Sequence, residues 1–175
     1  MRIEGERVVI RTLEEADAPH ISRLANNIKV WRNVSDRMPY PYLEEHAVTY
    51  IANSLAAQPV CNHAIEIEGA FAGVIGIMPR EDIFRVSAEI GYWLGEPFWG
   101  KGFATEAVRL FVPWCFEQFP EVVRLYGGAY EYNSASMGVL QKAGFRPEAV
   151  LRKAVIKEGK LLDEHIFALH RDGIL

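Results

Sequence analysis

A loop that could bind an anion lies in the second half of the sequence. Residues 98–107 read Phe-Trp-Gly-Lys-Gly-Phe-Ala-Thr-Glu-Ala, so two glycines surround Lys101 just before a segment that can open a helix. The glycines can make a tight turn, or they can let backbone N–H groups approach an anion that side chains would block. Unpaired N–H groups at a helix N-terminus carry partial positive charge and suit a pyrophosphate, to which Lys101 and Thr105 could add. This stretch alone leaves both interpretations open.

Two common phosphate-binding loops do not fit the stretch. A Walker A loop requires serine or threonine after Gly-Lys, but Gly102 follows Gly100 and Lys101. A dinucleotide-binding fingerprint requires a third glycine at the position of Thr105, and it normally follows an early strand of a βαβ unit. What remains is the general arrangement of a strand, a glycine turn and a helix N-terminus.

The elements around this loop can be predicted from the periodicity of apolar residues. We expect strands at Val8–Arg11, His63–Glu68, Phe71–Met78, Val86–Leu94, Val122–Tyr130, 148–157 and 161–170. We expect helices at 12–28 with Thr12 as N-cap, at 43–57, at 104–119, and from Asn133 or Ser134 to Gly144. Pro113 should kink or split the third of these helices, because a proline removes a backbone donor. The pattern predicts one mixed α/β domain over residues 1–175.

The composition is that of a soluble protein without nucleic-acid or membrane partners. The formal net charge is −4 and the pI is about 5.8, and the basic residues are scattered along the chain. The start of the sequence has no apolar signal segment, so we expect a cytoplasmic protein with reduced thiols at Cys61 and Cys115. The histidines lack metal-ligand spacing, so we expect no bound metal.

Two linked motifs resemble the GNAT N-acetyltransferase superfamily, and within it the RimJ/RimL-like branch. Residues 99–104 occupy the family's Gln/Arg-x-x-Gly-x-Gly/Ala pattern, with Trp99 in place of the usual Gln or Arg. The second motif of the family, Asn-x-x-Ser followed by Leu-x-Lys-x-Gly-Phe, is matched by Asn133, Ser136, Leu140, Lys142, Gly144 and Phe145. The resemblance implies an α/β (α+β) GNAT fold with a mixed, mostly antiparallel seven-stranded sheet and about four helices. It also implies that the fourth and fifth strands, at 86–94 and 122–130, diverge to admit acetyl-CoA.

The resemblance further implies a binding site for acetyl-CoA. The pyrophosphate would contact the backbone amides of the glycine loop, which comprises Trp99, Gly100, Lys101, Gly102, Phe103, Ala104 and Thr105. The pantetheine arm would run along Trp93 and Leu94 like an added strand, and one of their N–H groups could stabilise the oxyanion. Asn133 and Ser136 would hold the other side of the pantetheine, although Asn133 can also be read as a helix cap alone.

Acyl transfer requires a neutral amine and a stabilised leaving thiolate. Family members often place a base at the start of the fourth strand, where this chain has Glu89; an exposed strand carboxylate is the alternative reading. For the acid, Ser136 and Tyr132 compete, because the family pattern favours the serine and a phenol is the better acid. Trp31, Tyr40 and Tyr42 lie where similar proteins shape the acceptor pocket, or else they serve only in packing.

The implied function is transfer of an acetyl group from acetyl-CoA to a primary amine. A protein N-terminal α-amine, as in ribosomal-protein acetylation, is the first hypothesis. A polyamine or another small amine is the alternative within the same class, and a non-catalytic acyl-CoA-binding module is the alternative from another class. A homodimer is compatible with the resemblance.

Overall fold

The computed structural model describes residues 1–173, which form one eight-stranded sheet flanked by helices. The strands are β1 (Arg2–Glu4), β2 (Val8–Thr12), β3 (Asn62–Ile67), β4 (Ala70–Pro79), β5 (Ser87–Leu94), β6 (Arg124–Tyr130), β7 (Arg146–Lys157) and β8 (Lys160–His170). Their spatial order is β1-β2-β3-β4-β5-β6-β8-β7. Within the described residues β5 and β6 are parallel, and every other neighbouring pair is antiparallel. The mixed, mostly antiparallel GNAT architecture is thus confirmed.

The helices cover both faces of the sheet. They are α1 (Ala18–Ala25), α2 (Ile28–Trp31), α3 (Glu44–Ala56), α4 (Phe103–Gln118) and α5 (Ser134–Lys142). Neighbouring residues of β3 point to different clusters: Ala64 packs with α1 and α3, whereas Ile65 packs with α4. This alternation follows from the period of two along a strand, and it produces one apolar core on each side of the sheet.

The strands β5 and β6 separate after three paired residues. Ser87, Ala88 and Glu89 pair with Arg124, Leu125 and Tyr126, and no further pair is formed between these strands in the described chain. Both strands continue, β5 to Leu94 and β6 to Tyr130, so a gap opens between them. The predicted divergence of the fourth and fifth strands therefore has a defined starting point at Glu89.

Helix α4 contains Pro113 and is nevertheless continuous from Phe103 to Gln118. Of the two outcomes predicted for Pro113, a split is wrong, whereas a kink stays a prediction. Residues on both sides of Pro113, among them Phe111, Val112, Cys115 and Phe116, are buried in one apolar core. Burial of this face offsets the one backbone hydrogen bond that a proline removes, because tertiary packing rather than propensity decides helix stability.

The N-terminal part of the chain differs most from the sequence-based prediction. Thr12 ends β2 instead of capping a helix, and a 3₁₀ turn at Glu15–Asp17 comes before α1. Helix α1 stops at Ala25, and Asn27 caps the separate short helix α2 by accepting from the Lys29 N–H at 2.9 Å. The sheet also has eight strands instead of seven, because Arg2–Glu4 pairs with β2. This strand has a single apolar residue, Ile3, between Arg2 and Glu4, so the sequence shows no alternation of apolar and polar residues there.

One histidine lies in the core beneath α4. His63 on β3 is 1% exposed, and its ring packs edge-on against Trp114 at 4.8 Å and Phe111 at 5.6 Å between centroids. Neither ring nitrogen meets a hydrogen-bond partner within the described residues. Burial, followed by the charge of the N-terminus, lowers the pKa of His63 to about 4. His63 is therefore a neutral imidazole at physiological pH.

Within residues 1–173, no helix combines sufficient length with sufficient apolar character to cross a bilayer.

Candidate active site at the divergence of β5 and β6

The glycine loop joins β5 to α4 through two left-handed residues. After a 3₁₀ turn at Glu96–Phe98, Gly100 has φ of +72° and Gly102 has φ of +84°, and α4 begins at Phe103. Residues with a Cβ rarely adopt these angles, so both positions favour glycine. The predicted arrangement of strand, glycine turn and helix N-terminus is present at the end of β5 that borders the gap.

Six consecutive backbone amides in this loop have no protein acceptor. The N–H groups from Gly100 to Thr105 donate to no atom of the described residues, and the first backbone bond of α4 runs from the Glu106 N–H to the Gly102 carbonyl. Groups of this kind at a helix N-terminus are satisfied by water or by an anion. The loop can therefore hold a pyrophosphate through its backbone alone.

The N-terminal strands fix the position of this loop. Arg7 donates from Nη1 to the Lys101 carbonyl at 3.1 Å and pairs with Glu106, and its guanidinium lies 5.0 Å from the centre of the Phe103 ring. Lys101 donates to the Pro97 carbonyl at 3.0 Å, so its amine lies beside the loop. A cavity of about 440 Å³ adjoins the loop, and its lining includes Arg7, Thr105 and Lys142.

Trp99 replaces the usual Gln or Arg of the family pattern, and the structure shows what its indole does. The Nε1–H donates to the Leu94 carbonyl at 2.7 Å, which closes the turn between β5 and the glycine loop. The indole remains 39% exposed. Trp99 thus holds the end of β5 while the backbone amides of the loop stay free.

The orientation of the β5 amides follows from its pairing with β4. The Gly95 N–H donates to the Ala72 carbonyl at 2.9 Å, and hydrogen-bonding residues alternate along an antiparallel pair. The Trp93 amide therefore turns toward β4, whereas the Tyr92 and Leu94 amides turn toward the gap. Of the two residues predicted to contact the pantetheine and the oxyanion, this geometry favours Leu94 for the amide.

Glu89 lies at the last residue pair before the gap opens, opposite Tyr126. It shares a sheet face with Trp93, which packs against the core on the side of α1 and α3. Burial raises the pKa of the Glu89 carboxyl, and the neighbouring Glu164 carboxylate raises it further. Arg80 and Arg37, together with a hydrogen bond from Tyr126, oppose the rise. A half-buried carboxylate of raised basicity suits a general base.

Ser136 is held on the other side of β5 by two contacts. The Ser136 N–H donates to Oδ1 of Asn133 at 3.1 Å, so Asn133 is the N-cap of α5 as predicted. The Ser136 hydroxyl lies 3.0 Å from the hydroxyl of Tyr92 on β5. Glu89 and Ser136 therefore approach the gap from opposite faces of the sheet.

Tyr132 lies between β6 and α5, but its hydroxyl is engaged elsewhere. It donates to the backbone carbonyl of Arg32, at the end of α2, and its side chain is 49% exposed. Burial raises the pKa of the Tyr132 phenol. Of the two candidate acids, the structure brings Ser136 to the end of the gap and ties Tyr132 to the segment after α2.

The three predicted acceptor residues separate into two groups. Trp31 and Tyr40 face each other with ring centres 5.6 Å apart, and Tyr40 is 46% exposed. Tyr42 is buried in the core beneath α1 and α3. The buried Nζ of Lys157 lies 3.6 Å from the centre of the Trp31 ring and donates to the Val34 carbonyl at 2.9 Å.

Three residues near the gap were not predicted from the sequence: Tyr92, Tyr126 and Glu164. Tyr126, Gly128 and Tyr130 alternate along β6, and this period of two was a usable signal that they share the face of Glu89. Glu164 reaches the same face because β8 pairs with β6, a pairing between strands that are not consecutive in the chain.

Comparison with known proteins places this fold and site in a family. The acetyltransferase (GNAT) domain family matches residues 7–146, which is most of the sequence, so the chain belongs to the GNAT acetyltransferases. "Uncharacterized N-acetyltransferase YoaA" of Bacillus subtilis (strain 168) is 32% identical, over 95% of this chain and 95% of that protein. "Putative ribosomal N-acetyltransferase YdaF" of the same organism is 29% identical, over 89% of this chain and 86% of that protein. "Probable N-acetyltransferase YjcK", also of this organism, is 41% identical over 47% of this chain, and the match spans less than half (45%) of YjcK.

Solved structures agree with this assignment at the level of the fold. RimL, a ribosomal α-N-protein acetyltransferase in complex with coenzyme A, superposes with a TM-score of 0.83 at 20% identity, over 99% of both chains. Mycobacterium smegmatis RimJ, in complex with a CoA disulfide, gives 0.81 at 24% identity, over 94% of this chain and 82% of that one. The fold of the chain is thus similar to the folds of RimL and RimJ.

Proposed function

We propose that this N-acetyltransferase uses acetyl-CoA and that its acceptor is the α-amine of a protein N-terminus. The use of acetyl-CoA is supported by the row of unpaired amides from Gly100 to Thr105, at the gap between β5 and β6. The acceptor is supported by the position of Glu89 and by the similarity to YdaF, whose name refers to ribosomal N-acetylation. The proposal takes residues 1–175 as a single catalytic domain.

In this proposal the pyrophosphate of acetyl-CoA contacts the loop amides and the pantetheine continues along β5. The Leu94 N–H faces the gap and is available to the pantetheine or to the oxyanion that forms on the thioester carbonyl. Asn133 caps α5 through Oδ1, which leaves its amide N–H₂ free for the pantetheine. The co-substrate thereby fills the place of a strand between β5 and β6.

The acceptor amine approaches on the face of Glu89. An ammonium group cannot attack a thioester, so Glu89 first removes one proton from it. The neutral nitrogen then bonds to the carbonyl carbon and passes its second proton to solvent. The carbon–sulfur bond then breaks, and Ser136 hydrogen-bonds the leaving thiolate. Tyr40 and Trp31 contact the chain that follows the amine. Tyr42 is buried in the core and takes no part in this contact.

Substitution of Gly102 by glutamate tests the co-substrate site. Gly102→Glu adds bulk and negative charge at the proposed anion site, and we expect it to abolish CoA binding in calorimetry. It also adds backbone strain at a positive φ, so the matched control is Gly69→Glu, a change at φ of +77° in open space at the turn between β3 and β4. Unchanged CoA affinity in a folded Gly102→Glu protein would leave the glycines with a turn function only.

Mass spectrometry of acetylated peptides tests the acceptor. A peptide with a free N-terminus and an internal lysine should carry the acetyl group on the α-amine, and the same peptide with a blocked N-terminus should remain unmodified. Spermidine serves as the small-amine comparison. Acetylation confined to lysine side chains or to spermidine would contradict the N-terminal assignment while leaving the acetyl-CoA site intact.

A further inference from the structure

We propose that Tyr92 is a positioning residue for the reaction, which orients the hydroxyl of Ser136 toward the leaving sulfur. This inference rests on the proposed function and adds a residue to it. Tyr92 lies on β5 and Ser136 in the first turn of α5. Their contact therefore joins β5, which borders the gap, to the helix that follows β6. The two hydroxyl oxygens are 3.0 Å apart, and either hydroxyl can be the donor in this contact. The Tyr92 hydroxyl can also donate to the Ser136 carbonyl oxygen, at 3.3 Å.

The direction of this hydrogen bond decides what Ser136 can do. A serine hydroxyl has one proton, and if it donates that proton to Tyr92 it has none for sulfur. When the tyrosine donates, the serine proton is free to point into the gap. Burial raises the pKa of Tyr92 to about 12, so the phenol keeps its proton at neutral pH and can act as the donor.

A serine that accepts one hydrogen bond is also a stronger donor in the next. Hydrogen bonds in series polarise one another, and the effect is larger where water is excluded. Tyr92 is partly buried, and the core beside it includes Met137 and Leu140 of α5. The chain Tyr92 to Ser136 to sulfur therefore gives serine, which alone is a poor acid, a way to stabilise the thiolate.

The step balances without a proton leaving either hydroxyl. Glu89 takes one proton from the ammonium group, and the neutral nitrogen then bonds to the carbonyl carbon and passes its second proton to solvent. The carbon–sulfur bond breaks with its electron pair on sulfur. Ser136 donates a hydrogen bond to this thiolate, and Tyr92 donates to Ser136. A thiolate is a far weaker base than a serine alkoxide, so the serine proton stays on oxygen and solvent protonates the released thiolate.

A double-mutant cycle tests this arrangement. Tyr92→Phe keeps the ring and removes the hydroxyl, and we expect kcat to fall about 10-fold with the affinity for CoA unchanged, the effect of one neutral hydrogen bond. Ser136→Ala should lower kcat further. In the Ser136→Ala background Tyr92→Phe should have less than a 2-fold effect, because the tyrosine then has nothing to orient.

A matched control separates positioning from packing. Tyr50→Phe also removes a buried phenol that contacts a serine, Ser54, but it does so within α3. We expect kcat of Tyr50→Phe to equal that of the wild type, with thermal melting showing that all variants are folded. The proposal would be overturned if Tyr92→Phe lowered kcat by the same factor with and without the Ser136 hydroxyl. It would also be overturned if folded Tyr92→Phe kept the kcat of the wild type. A wild-type protein that releases no thiol with any amine would instead refute the proposed function.

Discussion

The buried histidine under α4 makes the stability of this protein sensitive to mild acid. His63 has a pKa of about 4 in the folded chain, compared with its ordinary value of 6.5. A group with a depressed folded pKa is protonated first in the unfolded state, so protons favour unfolding as the pH falls below 6.5. The two values differ by about 2.5, which at about 1.36 kcal/mol per pKa unit corresponds to roughly 3 kcal/mol. The free energy of unfolding should fall by this amount between pH 6.5 and 4. Below pH 4, His63 should cause no further fall.

Replacement of His63 by phenylalanine isolates this contribution. The larger ring must fit between Phe111 and Trp114, and its steric cost of about 1–3 kcal/mol does not depend on pH. The measurement is urea unfolding at half-unit steps from pH 4 to 8. The difference between wild type and His63→Phe should shift by roughly 3 kcal/mol in favour of the variant as the pH falls.

The exposed His170 provides the control, because His170→Gln retains the buried imidazole and should retain the acid-side fall in stability. Raised carboxyl pKa values at Glu89 and Glu164 act in the opposite direction near pH 4 to 5, but they are common to all three proteins and cancel in the difference. The difference in the free energy of unfolding between wild type and His63→Phe is expected to change between pH 8 and 4. If it stays constant, the buried, neutral state of His63 is refuted.

Two further predictions concern the reaction. Glu89→Gln should lower kcat about 10²-fold near pH 6.5 with CoA affinity unchanged, and the deficit should shrink as rising pH supplies neutral amine. Glu164→Gln is its matched control: it should keep kcat and move the acidic limb of the pH–rate profile to lower pH, since the Glu164 carboxylate raises the pKa of Glu89. Wild-type activity of Glu89→Gln at pH 6.5 would exclude the base. Tyr132→Phe loses the bond to the Arg32 carbonyl and should raise the KM of the acceptor with little change in kcat; a kcat loss larger than that of Ser136→Ala would make Tyr132 the acid.

Features that depend on neighbouring residues were predictable from the sequence. The glycine loop, the start of α4 and the cap at Asn133 each rest on residues within a few positions of one another. The alternation along β5 likewise placed Glu89 and Trp93 on one face. The helix starting at Thr12 was wrong because a polar residue before acidic ones can end a strand as readily as it can cap a helix.

Contacts between residues far apart in the chain could not be predicted from a single sequence. Tyr92 meets Ser136 across 44 positions, and Tyr132 meets Arg32 across 100. Lys157 is 3% exposed although it ends a strand whose other residues are mostly exposed. A lysine in that setting is expected at the surface, and only the fold brings Trp31 and Asp36 to it.

The short contact between β5 and β6 has a mechanical consequence. The strands β1 to β5 form one part of the sheet and β6 to β8 form another, and within the described residues three pairs of residues join the two parts along this seam. A co-substrate bound in the gap, as proposed, would contact both parts. Its binding should therefore slow amide hydrogen exchange on β6 and β8 as well as in the glycine loop. Glu89 lies in the last of these three pairs. In the proposed function, the molecule that donates the acetyl group therefore also restricts motion between the two parts of the sheet, beside the proposed base.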